Sequence, residues 1–493
     1  MDNKNLLFDA SVIKPIKEIQ FDIFSYDEIH ILSALSGTHG IEIPDLYDKQ
    51  EPKRGGLIDS RMGGSGNTRC ETCGLDAQYD DGHPGHIDLA EAVYHPLFLQ
   101  YVKNILDCIC IGCSNLLISK DSDKLKQILQ IKSNRNRFVK VHELASKAKF
   151  CLRPNQNCGI KVSKIKIEIK KSVVGLNIYS ETDMLDDDGK GIKKQRLNLT
   201  PEMISDIFDN ISDEDCMIMG MDPKRCRPSD LILKVFIVPA VHVRPSLRGG
   251  FTGGSTMEDG LTHKIADIIK ANIRINKQKE SSNENTNKYL RDHAHLLQYH
   301  VATYYDPDII SIPKDGKSSQ FKPLVERFKG KTGRIRGNIQ GKRGNFNART
   351  VITSDPTISA NYLRVPIAIA MTITFPEIVT EFNFDKLTKL VRNGSDKYPG
   401  ANFVYRTSTA VSGRPIRPIY LKFRKEEITL QYGDTVERHL QDEDIVLLNR
   451  QPTLHKQSMM GHRIKVINDF SLLTFGLSPA VTKPYNADQR YSF

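Results

Sequence analysis

Cys110-Ile111-Gly112-Cys113 is a CxxC, and Cys151 and Cys158 supply a second thiol pair further along the chain. A CxxC lets two sulfurs reach one ion from a single tight turn, and zinc takes four ligands in a tetrahedron. Two such pairs predict a structural Zn2+ ion and a fold stapled by metal. The competing reading is four ordinary buried cysteines, a role that Cys108, Cys216 and Cys226 fit better. Cys70-Glu71-Thr72-Cys73 is another CxxC, followed by Asp80, His83 and His86. With only two sulfurs, this second site must complete its shell with imidazole and carboxylate. His83 is the favoured third ligand, and Asp80 or His86 the fourth. A catalytic zinc would need an open position and a general base, and nothing in this turn-rich setting argues for one.

The N-terminus, Met1-Asp2-Asn3-Lys4, lacks a basic-then-apolar signal segment, so secretion is not expected. The nine cysteines then sit in a reducing compartment, where clustered thiols favour metal over disulfides. At 39% hydrophobic and 26% charged, the composition excludes wholesale disorder. The 493 residues leave room for about three domains. The longest run free of strongly polar side chains, Val365 to Phe375, is too short to span a bilayer.

The net charge of +11 is concentrated. Between Lys322 and Arg349 lie nine basic residues and a single acid, Glu326, which leaves +3 for all the rest. Gly330-Lys331-Thr332 imitates the end of a phosphate-binding P-loop, but Val325 stands where that motif needs glycine. The better reading is a Gly-interspersed basic loop. Its glycines allow close backbone approach to a phosphate strand, while Lys329, Lys331, Arg334, Arg336, Lys342, Arg343 and Arg349 neutralise charge. Such contacts position a nucleic acid without reading its bases. A solvated charge run is the competing reading, though acids would then be interleaved.

Local patterns divide the remainder. Residues 1 to about 90 read as irregular structure around a metal site. Phe98, Tyr101, Val102, Ile105 and Leu106 recur at helical spacing. Residues 161–170 alternate as a half-buried strand, and Asp183 to Asp188 with Gly189 reads as a solvated hairpin tip, with cation binding as the alternative. A helix is expected from about Glu258 with Leu261, Ile265, Ile268 and Ile269 on one side. A polar break over Ser281 to Asn287 follows, and helix resumes near His293. Beyond Arg349 the chain turns strand-rich and Pro-punctuated. Near its end, Asn449-Arg450-Gln451-Pro452-Thr453-Leu454-His455 places a forked cation and an amide before a Pro-fixed turn, apt for a ribose hydroxyl or phosphate. A buried Arg paired to a carboxylate is the competing reading, and Met459-Met460 reads as core.

The order of these motifs resembles the N-terminal portion of the largest subunit of multisubunit DNA-directed RNA polymerase, of the eukaryotic RNA polymerase II type. The resemblance runs over nearly the whole chain. It is densest at Arg61-Met62-Gly63, Gly82-His83-Pro84-Gly85-His86-Ile87-Asp88-Leu89 and Leu296-Leu297-Gln298-Tyr299-His300-Val301-Ala302-Thr303-Tyr304. Further dense stretches are Lys331-Thr332-Gly333-Arg334-Ile335-Arg336-Gly337-Asn338, Asn347-Ala348-Arg349-Thr350-Val351-Ile352 and the Asn449–His455 segment.

The resemblance implies an irregular α+β fold. Residues 1–345 would form a zinc-stapled helical clamp with two zinc sites and a basic lid-to-switch region. Residues 346–493 would begin a β-rich active-site domain. It implies that Cys110, Cys113, Cys151 and Cys158 hold one clamp zinc. Cys70, Cys73 and His83 would be three ligands of the other, with Asp80 where the family has its third cysteine. The basic loop would grip the template strand beside the RNA–DNA hybrid, and Arg450, Gln451 and Asn486 would line the incoming nucleotide. The implied partners are DNA, the second-largest subunit and other polymerase subunits, with no membrane.

The family's active site reads Asn-Ala-Asp-Phe-Asp-Gly-Asp, whose three aspartates hold Mg2+ for nucleotidyl transfer. Here Asn486-Ala487-Asp488 is followed by Gln489-Arg490-Tyr491-Ser492-Phe493, so Asp488 is the one catalytic carboxylate of the motif. The expectation is a chain inactive by itself, the first piece of an interrupted polymerase gene or one half of a split subunit. A large DNA virus would suit this better than a cellular nuclear enzyme, placing the protein in the virion or host cytoplasm rather than a nucleus. The alternative is a non-catalytic protein that binds zinc and nucleic acid. A RING-like adaptor is disfavoured by the long gap between Cys113 and Cys151.

Overall fold

The computed structural model describes residues 23–487, apart from residues 50, 65–67, 78, 121, 152–157, 171–174, 186–191, 249–255, 281–285, 311–321, 407–409, 412–413, 416–417 and 424–426. The chain divides into two compact units, residues 1–72 with 81–336 and residues 337–493 with 73–80.

The first unit runs from α1 (Tyr26–Leu32) through β1 (Gly85–Tyr94), α2 (Leu99–Leu106) and α3 (Asn134–Ala145) to a three-stranded antiparallel sheet of β2 (Lys164–Lys170), β3 (Gly175–Leu185) and β4 (Ile192–Leu199). It continues with α4 (Pro201–Asp209), β5 (Ile232–Val238) and two long helices, α5 (Gly260–Glu280) and α6 (Thr286–Tyr305). Helix α1 starts at a capping box: Ser25 Oγ accepts the Glu28 N–H and the Glu28 carboxylate accepts the Ser25 N–H.

The apolar periodicity expected after Phe98 becomes α2, which buries Leu99, Val102, Ile105 and Leu106. These join Ile165, Ile178, Ile204 and Phe208 in one core, where Cys108 and Cys216 also lie. Cys108, Cys216 and Cys226 are all buried, as their role as plain packing residues requires. A second core sits between β1, α5 and α6, where Leu261, Ile265, Ile268 and Ile269 are at most 1% exposed. Burying each such side chain stabilises by about 1.5–3 kcal/mol. Helix α6 begins at Thr286, earlier than expected from the sequence. Once Leu297 and Val301 are buried, helix propagates cooperatively through preceding residues, and the modest propensity penalty of Thr286 and Asn287 is outweighed. The rest of the polar break, residues 281–285, and the tip of the acidic hairpin between β3 and β4 lie outside the described residues.

The second unit is strand-rich, as the sequence suggests. A mixed five-stranded sheet contains β6 (Ile352–Ser354) and β7 (Tyr362–Pro366). Next in the chain come β8 (Thr374–Ile378), helix α7 (Phe384–Asn393), β9 (Ala401–Tyr405), β10 (Pro418–Tyr420) and β11 (Thr435–His439). The last strands, β12 (Ile445–Asn449), β13 (Met459–Ile467) and β14 (Phe475–Leu477), complete the mixed sheet in the order β6-β14-β7-β13-β12. The others form an antiparallel sheet, β8-β11-β9-β10, against which α7 packs Leu387, Leu390 and Val391. Val365 to Phe375 is resolved into the end of β7, a short helix Ile367–Thr372 and the start of β8. Among the described residues, no helix is long and apolar enough to cross a membrane.

Candidate metal centres and nucleic-acid interface

The Cys110–Cys113 turn is built by an antiparallel bridge between Ile109 and Leu116. Within it the Ser114 N–H donates to the Cys110 carbonyl (2.8 Å) and the Cys110 N–H to the Asn115 carbonyl (2.9 Å). Ser114 takes φ +57°, which closes the knuckle. A bridge between Phe150 and Lys161 forms the opposing support, with the Cys151 N–H donating to the Ile160 carbonyl (3.0 Å). A Cβ at Gly112 would fall 2.4 Å from Cδ1 of Ile160, the end of an exposed side chain that could swing aside.

The result gathers all four thiols, with ligand atoms within 4.8 Å of one another. Cys110 Sγ lies 3.7 Å from Cys158 Sγ, and Cys113 Sγ 3.7 Å from Cys151 Sγ. A disulfide needs about 2.05 Å, whereas sulfurs around a tetrahedral zinc at about 2.3 Å stand about 3.8 Å apart. The donor set therefore fits Zn2+. Burial pushes the Cys110 and Cys151 thiols up. At Cys113 burial also pushes upward, but hydrogen bonds from Asn115 and the neighbouring thiols outweigh it and bring that thiol down to about 7. Zinc binding would have to displace the remaining protons.

The second group is Cys70, Cys73, Asp80 and His83, with ligand atoms again within 4.8 Å of one another. The Cys73 thiol donates to Asp80 Oδ1 at 3.3 Å, near the roughly 3.6 Å of a sulfur–oxygen edge around zinc. Asp80 is 7% exposed and Cys70 1%. The His83 N–H donates to the Met62 carbonyl (2.9 Å), which sets the ring's position on its turn. Of the two fourth ligands the sequence leaves open, the structure brings Asp80 to the group. His86 is placed elsewhere, 2.7 Å from Ser33 Oγ through Nδ1.

In the basic loop, Lys329, Lys331, Arg334, Arg336, Lys342, Arg343 and Arg349 are all exposed. Arg327 differs from them: it pairs with Asp259 at 2.6 Å and is anchored. Gly333 has a structural reason, since a Cβ there would lie 2.3 Å from the Phe328 carbonyl oxygen. Exposed apolar side chains are interspersed, among them Ile339 (73%) and Phe346 (63%).

At the far end of the chain, Arg450 follows β12 and its Nη1 donates to the Tyr485 carbonyl at 3.2 Å. That tie places its guanidinium beside Asn486, which is exposed in the left-handed region at φ +52°. Arg450 is half-buried, and among the described residues no carboxylate pairs with it. Gln451 is exposed and its bond to Pro452 is cis. Tyr485 is fixed by its hydroxyl 2.8 Å from His462 Nε2, both rings being buried. This support carries no sequence signal, because His462 and Tyr485 meet only once β13 is in its sheet. Met460 packs against the core, but Met459 is 47% exposed, because alternate residues of β13 face opposite ways. Asp488 lies outside the described residues.

The architecture is that of an irregular α+β protein of several small sheets, with two cysteine-bearing groups whose donor atoms could hold a metal ion. Residues 13–339 match the family described as RNA polymerase Rpb1, domain 1, and residues 341–489 match RNA polymerase Rpb1, domain 2. The chain belongs to the RNA polymerase Rpb1 family and carries its N-terminal domains. It is similar to the DNA-directed RNA polymerase subunit 1 of Acanthamoeba polyphaga mimivirus, with 42% identity over 487 residues, covering 97% of this chain and 33% of that relative. The chain thus spans about a third of that relative's length.

Proposed function

We propose that this chain supplies the clamp, the template-strand grip and part of the nucleotide site of a DNA-directed RNA polymerase. The observation that carries the reading is the unbroken succession of both Rpb1 domains over residues 13–489. The two cysteine-bearing groups act as staples, fixing turns that have little apolar core of their own. The exposed cations from Lys329 to Arg349 neutralise template phosphates without contacting base edges. Arg450, held by the Tyr485 carbonyl, and Asn486 face the ribose of the incoming nucleotide, with Gln451 beside them. Asp488 would be one of the carboxylates that hold Mg2+, which would supply the Lewis acid for nucleotidyl transfer. Catalysis in this reading belongs to the assembled enzyme.

The partners are DNA, the RNA–DNA hybrid, the second-largest subunit and further polymerase subunits. Leu447 (76% exposed), Leu454 (75%) and Phe382 (100%) support a chain covered by partners, since large apolar side chains in such numbers favour association. The viral relative favours a virion or host-cytoplasm location over a nucleus. Mass spectrometry of the purified native polymerase tests the proposal. Peptides of this chain should co-fractionate with template-dependent RNA synthesis. An active fraction without them, together with a well-behaved monomer that binds DNA unaided, would favour a non-catalytic zinc- and nucleic-acid-binding protein instead.

A further inference from the structure

A third group of metal-ligating side chains lies in the first unit, apart from both cysteine groups. His30 on α1 and His86 and Asp88 on β1 bring their ligand atoms within 4.8 Å of one another. His30 Nε2 stands 3.1 Å from Asp88 Oδ1, close to the roughly 3.3 Å between two nitrogen or oxygen ligands of a tetrahedral zinc. His86 is fully buried at 0% exposure. Its Nδ1 is engaged by Ser33 Oγ at 2.7 Å, while its Nε2 is buried with no hydrogen-bond partner. A buried ring nitrogen without a partner is costly unless something polar meets it.

The tautomer that donates from Nδ1 to Ser33 leaves a lone pair on Nε2. This is the arrangement that orients an imidazole toward a metal. The neighbourhood also holds His39, whose Nδ1 is 3.9 Å from Asp88 Oδ2 and whose side chain is 87% exposed, and Tyr26, whose ring centroid is 4.6 Å from that of His30. With Asp88 31% and His30 24% exposed, water reaches the open side of the group.

We propose that His30, His86 and Asp88 form a third metal site, for a zinc-class divalent ion, with water or His39 as the fourth ligand. Two imidazoles and one carboxylate select zinc-like ions over Mg2+ or Ca2+. The ion would pin helix α1 to strand β1, with Ser33 orienting His86 from behind. The site does not depend on the polymerase reading above.

The test uses the full chain, with its thiol groups first filled with Zn2+ and Co2+ then titrated. The expected result is one further equivalent of Co2+ with d–d absorption but no thiolate-to-cobalt charge-transfer band. The spectrum separates this site from the thiol groups whatever their occupancy. Asp88→Asn and His30→Gln should each weaken that Co2+ binding more than about a hundredfold, and Ser33→Ala by about 10–100-fold. Thiol-bound zinc should be unchanged in all three. No d–d absorption in the wild-type titration would overturn the proposal, as would equal Co2+ affinity in His30→Gln with its thiol-bound zinc intact.

Discussion

Asn272 on α5 holds the backbone of β1 with both ends of its amide. Its Oδ1 accepts the Ala90 N–H at 2.6 Å and its Nδ2 donates to the Asp88 carbonyl at 2.8 Å. The pairing of β1 with β5 shifts register between Asp88 and Val93, so this stretch is left without regular strand partners. Gln298 on α6 does the same one step further on, accepting from the Tyr94 N–H (2.7 Å) and donating to its carbonyl (3.0 Å). Asn272 thus satisfies backbone groups where the strand pairing lapses, and Gln298 those of Tyr94, beside which the ladder resumes with Ile232.

Asn272→Ala should therefore expose those backbone groups to loss of partnership. The expected cost is about 1–3 kcal/mol of local opening free energy, read as weaker hydrogen-exchange protection at Ala90. Protection at Ala90 equal to wild type would show that the amide is dispensable.

The thiol geometry makes a separate prediction. Cys151→Ser should cost the chain one equivalent of zinc and loosen the Cys110–Cys113 turn, because three ligands do not close a structural site. Cys216→Ser, in the apolar core, should leave zinc content unchanged. Metal analysis of the two variants decides between staple and ordinary buried thiols. Full zinc in Cys151→Ser would refute the staple.

For the basic loop, the relevant quantity is the salt dependence of DNA affinity. Replacing Lys329 and Lys331 together with Ala should reduce the slope of log K against log salt by about 2, and Lys342 with Arg343 by a similar amount. Arg327→Ala should leave the slope unchanged and destabilise instead, since that guanidinium is committed to Asp259. A slope indifferent to all four replacements would remove the loop from the interface.

A pH prediction rests on Arg438, which is 5% exposed and binds Asp444 through both Nη atoms (2.7 and 2.8 Å) and Glu377 through Nε (2.5 Å). Burial by itself would raise both carboxyls, but the hydrogen bonds and charge of Arg438 hold Asp444 and Glu377 below their ordinary values. A carboxyl lowered in the folded state contributes stability that is present above its unfolded pKa, about 4. That contribution is lost as pH falls through the lower folded value. Unfolding of the β8-β11-β9-β10 sheet should thus ease as pH drops below about 4. Arg438→Met should cost about 3–5 kcal/mol at neutral pH and flatten this acid dependence. Acid sensitivity undiminished in Arg438→Met would rule the cluster out as its source.

Much of the frame is legible in the linear sequence because it is written at short range. The helical spacing after Phe98, the alternation of residues 161–170 and the CxxC pairs are patterns of one element or one turn. The first is α2, the second is β2 from Lys164 onward, and the thiols of each CxxC share one group with further donor side chains. The start of α6 is not legible in the sequence because helix extends by cooperativity from a buried segment rather than by its own first residues. Met459 faces out because strand alternation overrides hydrophobicity in a two-residue apolar pair.

The sequence by itself determined the family, the thiol pairs and the concentration of charge between Lys322 and Arg349, since each depends on residue type at fixed spacing. Only the tertiary structure brings Asp80 rather than His86 to the Cys70–Cys73 group. It alone brought His30 to Asp88, Asn272 to β1 and Arg450 to the carbonyl before Asn486. These partners are far apart in the chain or equivalent in chemistry. Which of them meet is fixed by the packing of whole helices and strands, and no local pattern encodes that choice.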